Sequence, residues 1–510
     1  MITLSDHLYI PPMGQVVEEA RRTRAKRMSR YAASKVVRTN RDWTTRSDGP
    51  NSLLFRSLRT LRARARQMVR DAPHFRKFIQ MAKTNVIGHQ GIQLQARAQF
   101  LDGRPNTKLN HDIEHEWWLW SQPENCSLSG KLSWVTAQYL FVETLIRDGE
   151  VLIQHMPADN PWGYAIRFWN VDWLDESYND TLPSGNRVIM SVEVDAYDTP
   201  QAYWLTTPIS ESRYTSRQNM RRVRVPASEM IHSFLVTEDE SQVRGVTWFH
   251  ASLLQGKDLH EYTSGVVQQA RVAAHTLGFL KQSVTDEVEF EGETLEDGSL
   301  APLQIDVAPL AMNELPPGYS LEQFDPKQPT QNHAAFKRAM LLDMAAGLGI
   351  NGFSLSGDMG DVNYSSARVG LGEERDVWRF LQGFTAMSFC RPVYHRWLKE
   401  ATLSGRLPLS GREYLELQNP YWRPRGWRYV DPHKDVAANI AALENNLATF
   451  TDVLGEQGID LTEFLETRAA ELKLAAKYGI DLHAHSHPRP PAATSDKAAG
   501  RNGNVTSVEM

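Results

Sequence analysis

The apolar positions of this chain change their period several times, and each change marks a boundary between predicted elements. Leu53, Leu54, Leu58, Leu61, Ala65 and Met68 recur at helical spacing, and Phe75, Phe78, Ile79 and Ala82 resume it beyond Pro73. This predicts two helices separated by a break. Residues 86–100 and 150–245 turn to alternating runs, VLIQHM, YAIRFWN, VIMSVEVDAY and AYWLTT, divided by Pro and Gly. Such alternation is the mark of half-buried strands. Between them, Trp117, Trp118, Trp120 and the segment 134–146 predict helices laid over the sheet, with the aromatic cluster as core rather than as a ligand cage.

The middle of the chain is organised differently. From Leu259 onward, apolar and small residues fall at 259, 262, 266, 270, 273, 277 and 280, one seam of a helix expected from about Trp248 to Lys281. At 1.5 Å per residue such a helix is roughly 50 Å long and needs neighbours along its whole length. Ala270, Ala273 and Ala274 would let adjacent helices approach closely. A second helix carries Phe336, Met340, Met344 and Leu348 on one face and ends in the stretch GLGINGFSLSGDMGDVNYSSAR. Its glycines, Gly347, Gly349, Gly352, Gly357 and Gly360, predict sharp turns or mobility rather than a packed element. A third helix is expected from about Arg368 to Ala401, with Val377, Phe380, Leu381, Phe384, Met387 and Trp397 on its buried side and a kink at Pro392. After an aromatic, Pro-rich return from Tyr414 to Val430, two helices form a small C-terminal domain. One carries Val436, Ile440, Leu443, Leu447, Phe450 and Leu454, the other Phe464, Leu465, Leu472 and Ala476. From His483 the composition is that of a disordered tail.

Length and composition then narrow the class. A chain of 510 residues holds about three units at roughly 150 residues each. No run of about 18 apolar residues occurs, and the start MITLSDHLYIPPMGQ lacks the basic-then-apolar order of a secretory signal, so neither membrane insertion nor secretion is expected. Cys126 and Cys390 lie far apart with no CxxC spacing and are expected to be buried free thiols. The net charge of -5 conceals a strong asymmetry. Residues 21–70 hold 16 Lys and Arg against Asp42 and Asp48, a net of +14 that leaves -19 on the rest of the chain. A basic arm on an acidic body places contact with a polyanion on one segment while other surfaces repel it. The most acidic segment, 284–330, has 11 acids against Lys327.

Candidate chemistry is sparse. Asp148 and Glu150 flank a glycine without a His or nucleophile at any tied spacing, which favours turn and salt-bridge roles over an acid/base pair. His483, His485 and His487 would at most bind zinc or nickel adventitiously. GLGING and SGDMGD lack the GxxxxGK[ST] pattern of a phosphate cradle, so ATP hydrolysis is not expected. No catalytic residue, metal or cofactor emerges. Two competing readings are a DNA-binding capsid scaffold acting through the basic arm, and a metal-dependent hydrolase built on His483, His485 and nearby acids.

An ordered series of signatures decides between these classes. It opens with LRARARQMVRDAPHFRKFI and NVIGHQGIQLQ, then DGE at Asp148, Gly149 and Glu150, VDAYDTPQAYW from Val194 to Trp204, VPASEMIHSF, and QVRGV with Gln242, Arg244 and Gly245. It closes with NYSSAR from Asn363 to Arg368, WRYVDPHK with Asp431, Pro432 and Lys434, and LGEQGIDLTEFLETRAAE. Over about residues 52–480 the chain resembles the lambda family of bacteriophage portal proteins. The resemblance implies an α+β, largely helical portal fold with wing, stem, clip and helical crown, assembled as a ring, usually a dodecamer, and no enzymatic activity. It would divide the chain into a basic arm (1–51), wing (52–245), stem helix (246–283), clip (284–330), second stem helix (331–349), tunnel loop (350–366), long kinked helix with return to the wing (367–432), crown (433–482) and tail (483–510).

The implied task is packaging and ejection of double-stranded DNA through a channel at one capsid vertex. The implied partners are further copies of the chain, the terminase large subunit, major capsid and scaffold proteins, head-completion and neck proteins, and DNA bound nonspecifically, with no membrane. The implied location is the virion, after assembly in the host cytoplasm. A channel must hold DNA without gripping it, so an acidic lining with a few transient phosphate contacts is expected. Candidate channel-facing residues are Lys337, Arg338, Asn351, Ser354, Asp358, Met359 and Asp361. Arg244 and Arg368, beside small residues at the starts of helices, are candidates for pairing between subunits. Glu289, Glu291, Glu293, Glu296 and Asp297 are candidates for docking at the clip.

Overall fold

The computed structural model describes residues 47–208, 220–275, 279–282, 319–322, 330–360, 362–427 and 431–480, with Arg38 and Thr44. Most of the basic arm, the interior of the acidic segment with Glu289, Glu291, Glu293, Glu296 and Asp297, the position of Asp361, and the tail with its three histidines lie outside the described residues.

Helix α1 (Pro50–Asp71) and helix α2 (Pro73–Ala82) each begin with proline, whose missing N–H costs nothing at that position. Ala72 between them is extended, as the residue before a proline prefers. A π turn at Lys83–Ile87 leads to β1 (Gln93–Gln95), then α3 (Thr107–Trp120) and α4 (Trp134–Asp148). Strands β2 (Glu150–Pro157), β3 (Tyr164–Trp169), β4 (Asp180–Thr181), β5 (Arg187–Ile189), β6 (Val192–Val194), β7 (Pro200–Pro208), β8 (Met220–Pro226) and β9 (Met230–Phe234) follow. They form two antiparallel sheets, β3-β2-β9 and β4-β5-β6-β7-β8.

The two hydrophobic cores meet across β2. Val151 and Ile153 belong to the larger core with α2, α3, α4 and the late helices, while Leu152 belongs to the smaller one with Val192, Tyr203 and Leu205. Side chains alternate faces along a strand, so a strand between two cores must be apolar at successive positions, which is why VLI does not alternate. The tryptophans pack as core. The ring of Trp117 lies 4.8 Å from Trp120, 5.2 Å from Trp134 and 5.1 Å from Trp397, and Trp120 donates its indole N–H to the Tyr164 carbonyl at 2.9 Å. Trp118 is the exception and faces outward. Cys126 and Cys390 are buried free thiols, and burial pushes both thiol pKa values up.

Beyond the sheets, a 3-10 turn (Trp248–Ala251) precedes α5 (Leu253–His275), and residues 279–282 are not helical. They form β10 (Phe279–Gln282), paired antiparallel with β11 (Tyr319–Glu322), Leu280 opposite Leu321. The expected single helix to Lys281 is therefore a helix of 23 residues followed by a strand. Leu277 and Leu280 continue a three- and four-residue spacing, but local spacing cannot reveal a strand partner some forty residues away. Helix α6 (Thr330–Leu348) returns toward the core, where Leu341, Met344, Ala345 and Leu348 are buried.

The glycine-rich stretch is more structured than its composition suggests. Helix α7 (Gly352–Ser356) buries Leu355, and Gly352 packs against Leu342. Helix α8 (Tyr364–Thr385) then starts at its Asn363 cap, four residues ahead of the expected start at Arg368. The glycines here let backbone approach side chains closely. A π turn at Ala386–Cys390 separates α8 from α9 (Arg391–Leu403), directly before Pro392. Phe380 and Met387 are exposed rather than buried; the inward face is Glu374, Trp378, Leu381, Gln382, Thr385 and Phe389. Helix α10 (Gly411–Glu416) leads to β12 (Tyr421–Arg423), which pairs with β1.

The C-terminal part has three helices instead of two: α11 (Pro432–Glu444), α12 (Phe450–Glu456) and α13 (Leu461–Lys477). The heptad-like row breaks at Asn445–Thr449, where Asn446 takes φ 57° and Thr449 starts a capping box with Asp452. None of the three helices contains a buried residue. No described helix is long and apolar enough to cross a membrane, and among the described residues no group of three His, Cys, Asp or Glu is placed to hold a metal ion.

Candidate functional site

Several sequence signatures converge on one buried point. Gly149 and Gly245 press backbone to backbone, so a Cβ on Gly149 would meet the Thr247 amide nitrogen at 2.5 Å and the Val246 carbonyl carbon closer still. Beside them, the Glu150 carboxylate is fully buried. It accepts from Arg244 Nη2 at 2.6 Å, Arg62 Nη2 at 2.6 Å, His232 Nε2 at 2.9 Å and the Gly245 amide at 3.2 Å. Arg244 also donates to the carbonyls of Met190 and Leu174. Arg62 reaches Asp172 and Glu176, and Arg66 grips Asp148 with two hydrogen bonds of 2.8 and 3.0 Å.

Burial alone would raise the Glu150 carboxyl, but Arg244, His232 and Arg62 more than offset it and hold it well below the ordinary range. Burial also pushes the His232 pKa down, aided by the two guanidiniums and opposed by Glu150. The chemistry is structural. The carboxylates and guanidiniums of the cluster take their partners from within the chain, with Arg62 Nε alone among their described atoms buried without one. Asp148 and Glu150 are salt-bridge residues at a turn, as the sequence indicates. Arg244, expected between subunits, is instead wholly buried in its own chain, since its partner Glu150 lies at the join of the two cores. Arg62 is a member that the signatures do not single out, although Leu54, Leu58 and Arg62 stand four residues apart on one inward face and so carry a signal for it.

A second region lies where α5 and α6 leave the body. Leu253, Gly256 and Leu259 are buried, but none of residues 260–271 is, and on α6 none of residues 333–340 is. The two helices touch through Tyr262, whose ring lies 5.4 Å from His333 and 4.8 Å from Phe336. Val267 and Phe336 are each 45% exposed.

The channel-facing candidates are spread along this region. Lys337 is half-buried and lowers the pKa of His74, for which burial is the larger cause. Lys77 adds to that effect, and its amine lies against Gly357. Lys337, His74 and Lys77 thus form a basic group beneath α7, of which only Lys337 is a candidate from sequence. Arg338 is exposed one residue on. Asn351 turns inward: its amide donates to the Gly370 carbonyl at 2.6 Å and to Glu374 at 3.2 Å. It joins α7 to α8, and its side chain does not project into solvent. Ser354 is half-buried, whereas Asp358 and Met359 are exposed on the turn after α7, with Asp358 accepting from the Gly360 amide. Arg368 bonds Asp435 at 2.5 Å within the same chain.

The profile described as phage portal protein, lambda family, matches residues 37–382. The chain is 30% identical over 503 residues to the probable portal protein of Halomonas phage phiHAP-1, spanning 98% of this chain and 93% of the relative. It is 20% identical over 472 residues to the portal protein of Escherichia phage N15, spanning 84% and 87%. A chain in the neck of a native gene transfer agent particle, computed with C12 symmetry, aligns at 11% identity and TM-score 0.41, covering 78% of this chain and 93% of that one.

Proposed function

From the premise that this chain belongs to the lambda family of phage portal proteins, a structural and not an enzymatic family, we propose that it forms the ring-shaped channel through which double-stranded DNA is packaged into and ejected from a capsid. The observation that carries the ring is the pair α5 and α6. Among the described residues none of 260–271 on α5 or 333–340 on α6 is buried, and Val267 and Phe336 stay half-exposed, so the outer parts of two long helices lack the neighbours their stability needs. Copies of the same pair, set around an axis in a heterologous, closing contact, supply them. On this reading α5 and α6 are the stem, the β10–β11 hairpin leads to the clip, α7 and the turn to Asn363 are the tunnel loop, and α11–α13 are the crown.

The same reading gives the electrostatics a task. Lys337, with Lys77 nearby, offers transient phosphate contacts on an otherwise acidic body, which centres DNA without arresting it. The acidic segment 284–330 suits docking of the terminase large subunit and neck proteins. Capsid and scaffold proteins would meet the ring from outside, placing it in the virion at one vertex.

Electron micrographs of the purified chain should show rings with rotational symmetry. Val267→Asp should abolish them while leaving a folded monomer, because this side chain is half-exposed in the single chain. Rings that persist in Val267→Asp would remove α5 from the interface. Monomers alone, in the wild type at high concentration, would remove the channel.

A further inference from the structure

A cleft of about 640 Å³ lies between the body and the turn joining α12 to α13, lined by Arg375, Arg423, Arg425, His89 and Trp427 on one side and Gln457–Ile459 on the other. Three guanidiniums surround one indole: the Cζ atoms of Arg375, Arg379 and Arg425 lie 5.8, 5.5 and 5.6 Å from the Trp427 ring centroid. The ring is fixed, since its N–H donates to Asn85 Oδ1 at 3.0 Å. Arg425 is held too. Its stem packs on Gly88, and its guanidinium donates to the carbonyls of Gly426 at 3.0 Å and Thr84 at 2.8 Å. The far wall is anchored by Gly426 and Gly458, whose backbones touch so closely that a Cβ on Gly458 would lie 2.6 Å from the Gly426 nitrogen.

The charge in this cleft is one-sided. Among its described lining residues there is no carboxylate. Arg423 is bonded to Glu463, Arg379 to Asp376 and Arg425 to backbone carbonyls, while the charge of Arg375 acts against that of Arg425 on the same wall. Burial first, and then a neighbouring guanidinium, push the pKa values of both Arg375 and Arg425 down, with Asp435 opposing the shift at Arg375. Arginine nevertheless stays charged, so an entering anion relieves an existing repulsion. Arginine guanidiniums match phosphate oxygens in charge and hydrogen-bonding geometry, and such contacts are how proteins hold a nucleic-acid backbone.

We infer that this cleft, formed by Arg375, Arg425 and Trp427 beneath the crown, is a binding site for backbone phosphates of nucleic acid, distinct from the basic group under α7. The inference rests on the channel reading for its source of DNA, but its test does not depend on ring formation. It is read as the salt dependence of duplex binding by the full-length chain. For Arg375→Gln/Arg425→Gln, affinity for a labelled duplex should fall roughly tenfold or more, and the slope of log affinity against log salt should shrink by about 1.8, at about 0.9 for each phosphate no longer neutralised. Arg375→Lys/Arg425→Lys should keep most of the slope, which separates a missing charge from a failure to fold.

Inorganic phosphate and a peptide of residues 286–297 serve as competing probes, followed by Trp427 fluorescence against Trp427→Phe. If either binds in an arginine-dependent way while the duplex slope is the same in wild type and glutamine variant, the site serves a free anion or the acidic segment, and the inference is overturned. An unchanged slope with neither probe bound overturns it as well. Rings with an unchanged slope sink this site and leave the channel standing; monomers with the reduced slope do the reverse.

Discussion

Glu150→Gln is expected to destabilise the body by roughly 3–5 kcal/mol, the cost of removing one partner from a buried ion pair. The damage should fall on Arg244. Arg62 retains Asp172 and Glu176, whereas the remaining bonds from Arg244 go to the carbonyls of Leu174 and Met190, leaving a fully buried guanidinium without its carboxylate. Glu150→Gln/Arg244→Met should therefore recover much of the loss, because charge and countercharge leave together. Urea unfolding of the three proteins measures both. A single variant within about 1 kcal/mol of wild type would show that the cluster is not the keystone its burial implies.

The same cluster sets a pH dependence. Because the folded pKa of Glu150 lies below its unfolded one, its contribution is complete above about pH 4.3 and is lost as pH falls through the folded value. Asp148 and Asp172, also lowered, act in the same direction. The lowered His232 favours the folded state fully above about pH 6.5 and progressively less below it. Wild-type stability should thus decline from mildly acidic pH and more steeply below the carboxylate range. Glu150→Gln should show a shallower acid limb.

The second large effect is expected from Gly149→Ala. Gly149 has φ +89°, a conformation that costs an alanine roughly 1–2 kcal/mol. The methyl would also strike the backbone of Val246 and Thr247, which cannot rotate away as a side chain can. Overpacking of this kind adds roughly 1–3 kcal/mol. Gly185 isolates the two causes, since it has φ +87° with nothing within 4 Å of a built Cβ. Thermal unfolding should show Gly185→Ala losing only the conformational part and Gly149→Ala losing far more. Equal losses at both sites would mean that the close approach to residues 246 and 247 gives way without strain.

These two substitutions also show what was legible in the sequence. DGE and QVRGV stand out as signatures, yet nothing local says that they meet, because Gly149 and Gly245 lie 96 residues apart in the sequence. Arg244 therefore reads as a surface residue near a helix start, and only the fold turns it inward. Local periodicity located α1, α2 and the strands of both sheets because each buries a face whose repeat is visible in the chain. It overran α5, where a strand continues the helical spacing, and it joined α11 to α12 across Asn446, where a left-handed residue breaks the ladder. Phe380 and Met387 follow a helical repeat but face out, while Glu374 and Gln382 face in. Composition pointed to the arm as the basic segment, whereas the basic cleft around Trp427 gathers arginines from α8 and the strand return that sequence distance keeps apart.

The attachment of the last three helices has a mechanical consequence. Apart from the pivot where Gly426 meets Gly458, they are tied to the body by partly exposed pairs such as Arg368–Asp435 and Arg423–Glu463, each worth roughly 0.2–1 kcal/mol. A lever held so lightly tilts under forces of thermal size. In the ring proposed above, neighbouring levers would brace one another. Stiffness there would belong to the assembly rather than to any subunit, and a push at one point would be shared around the circumference.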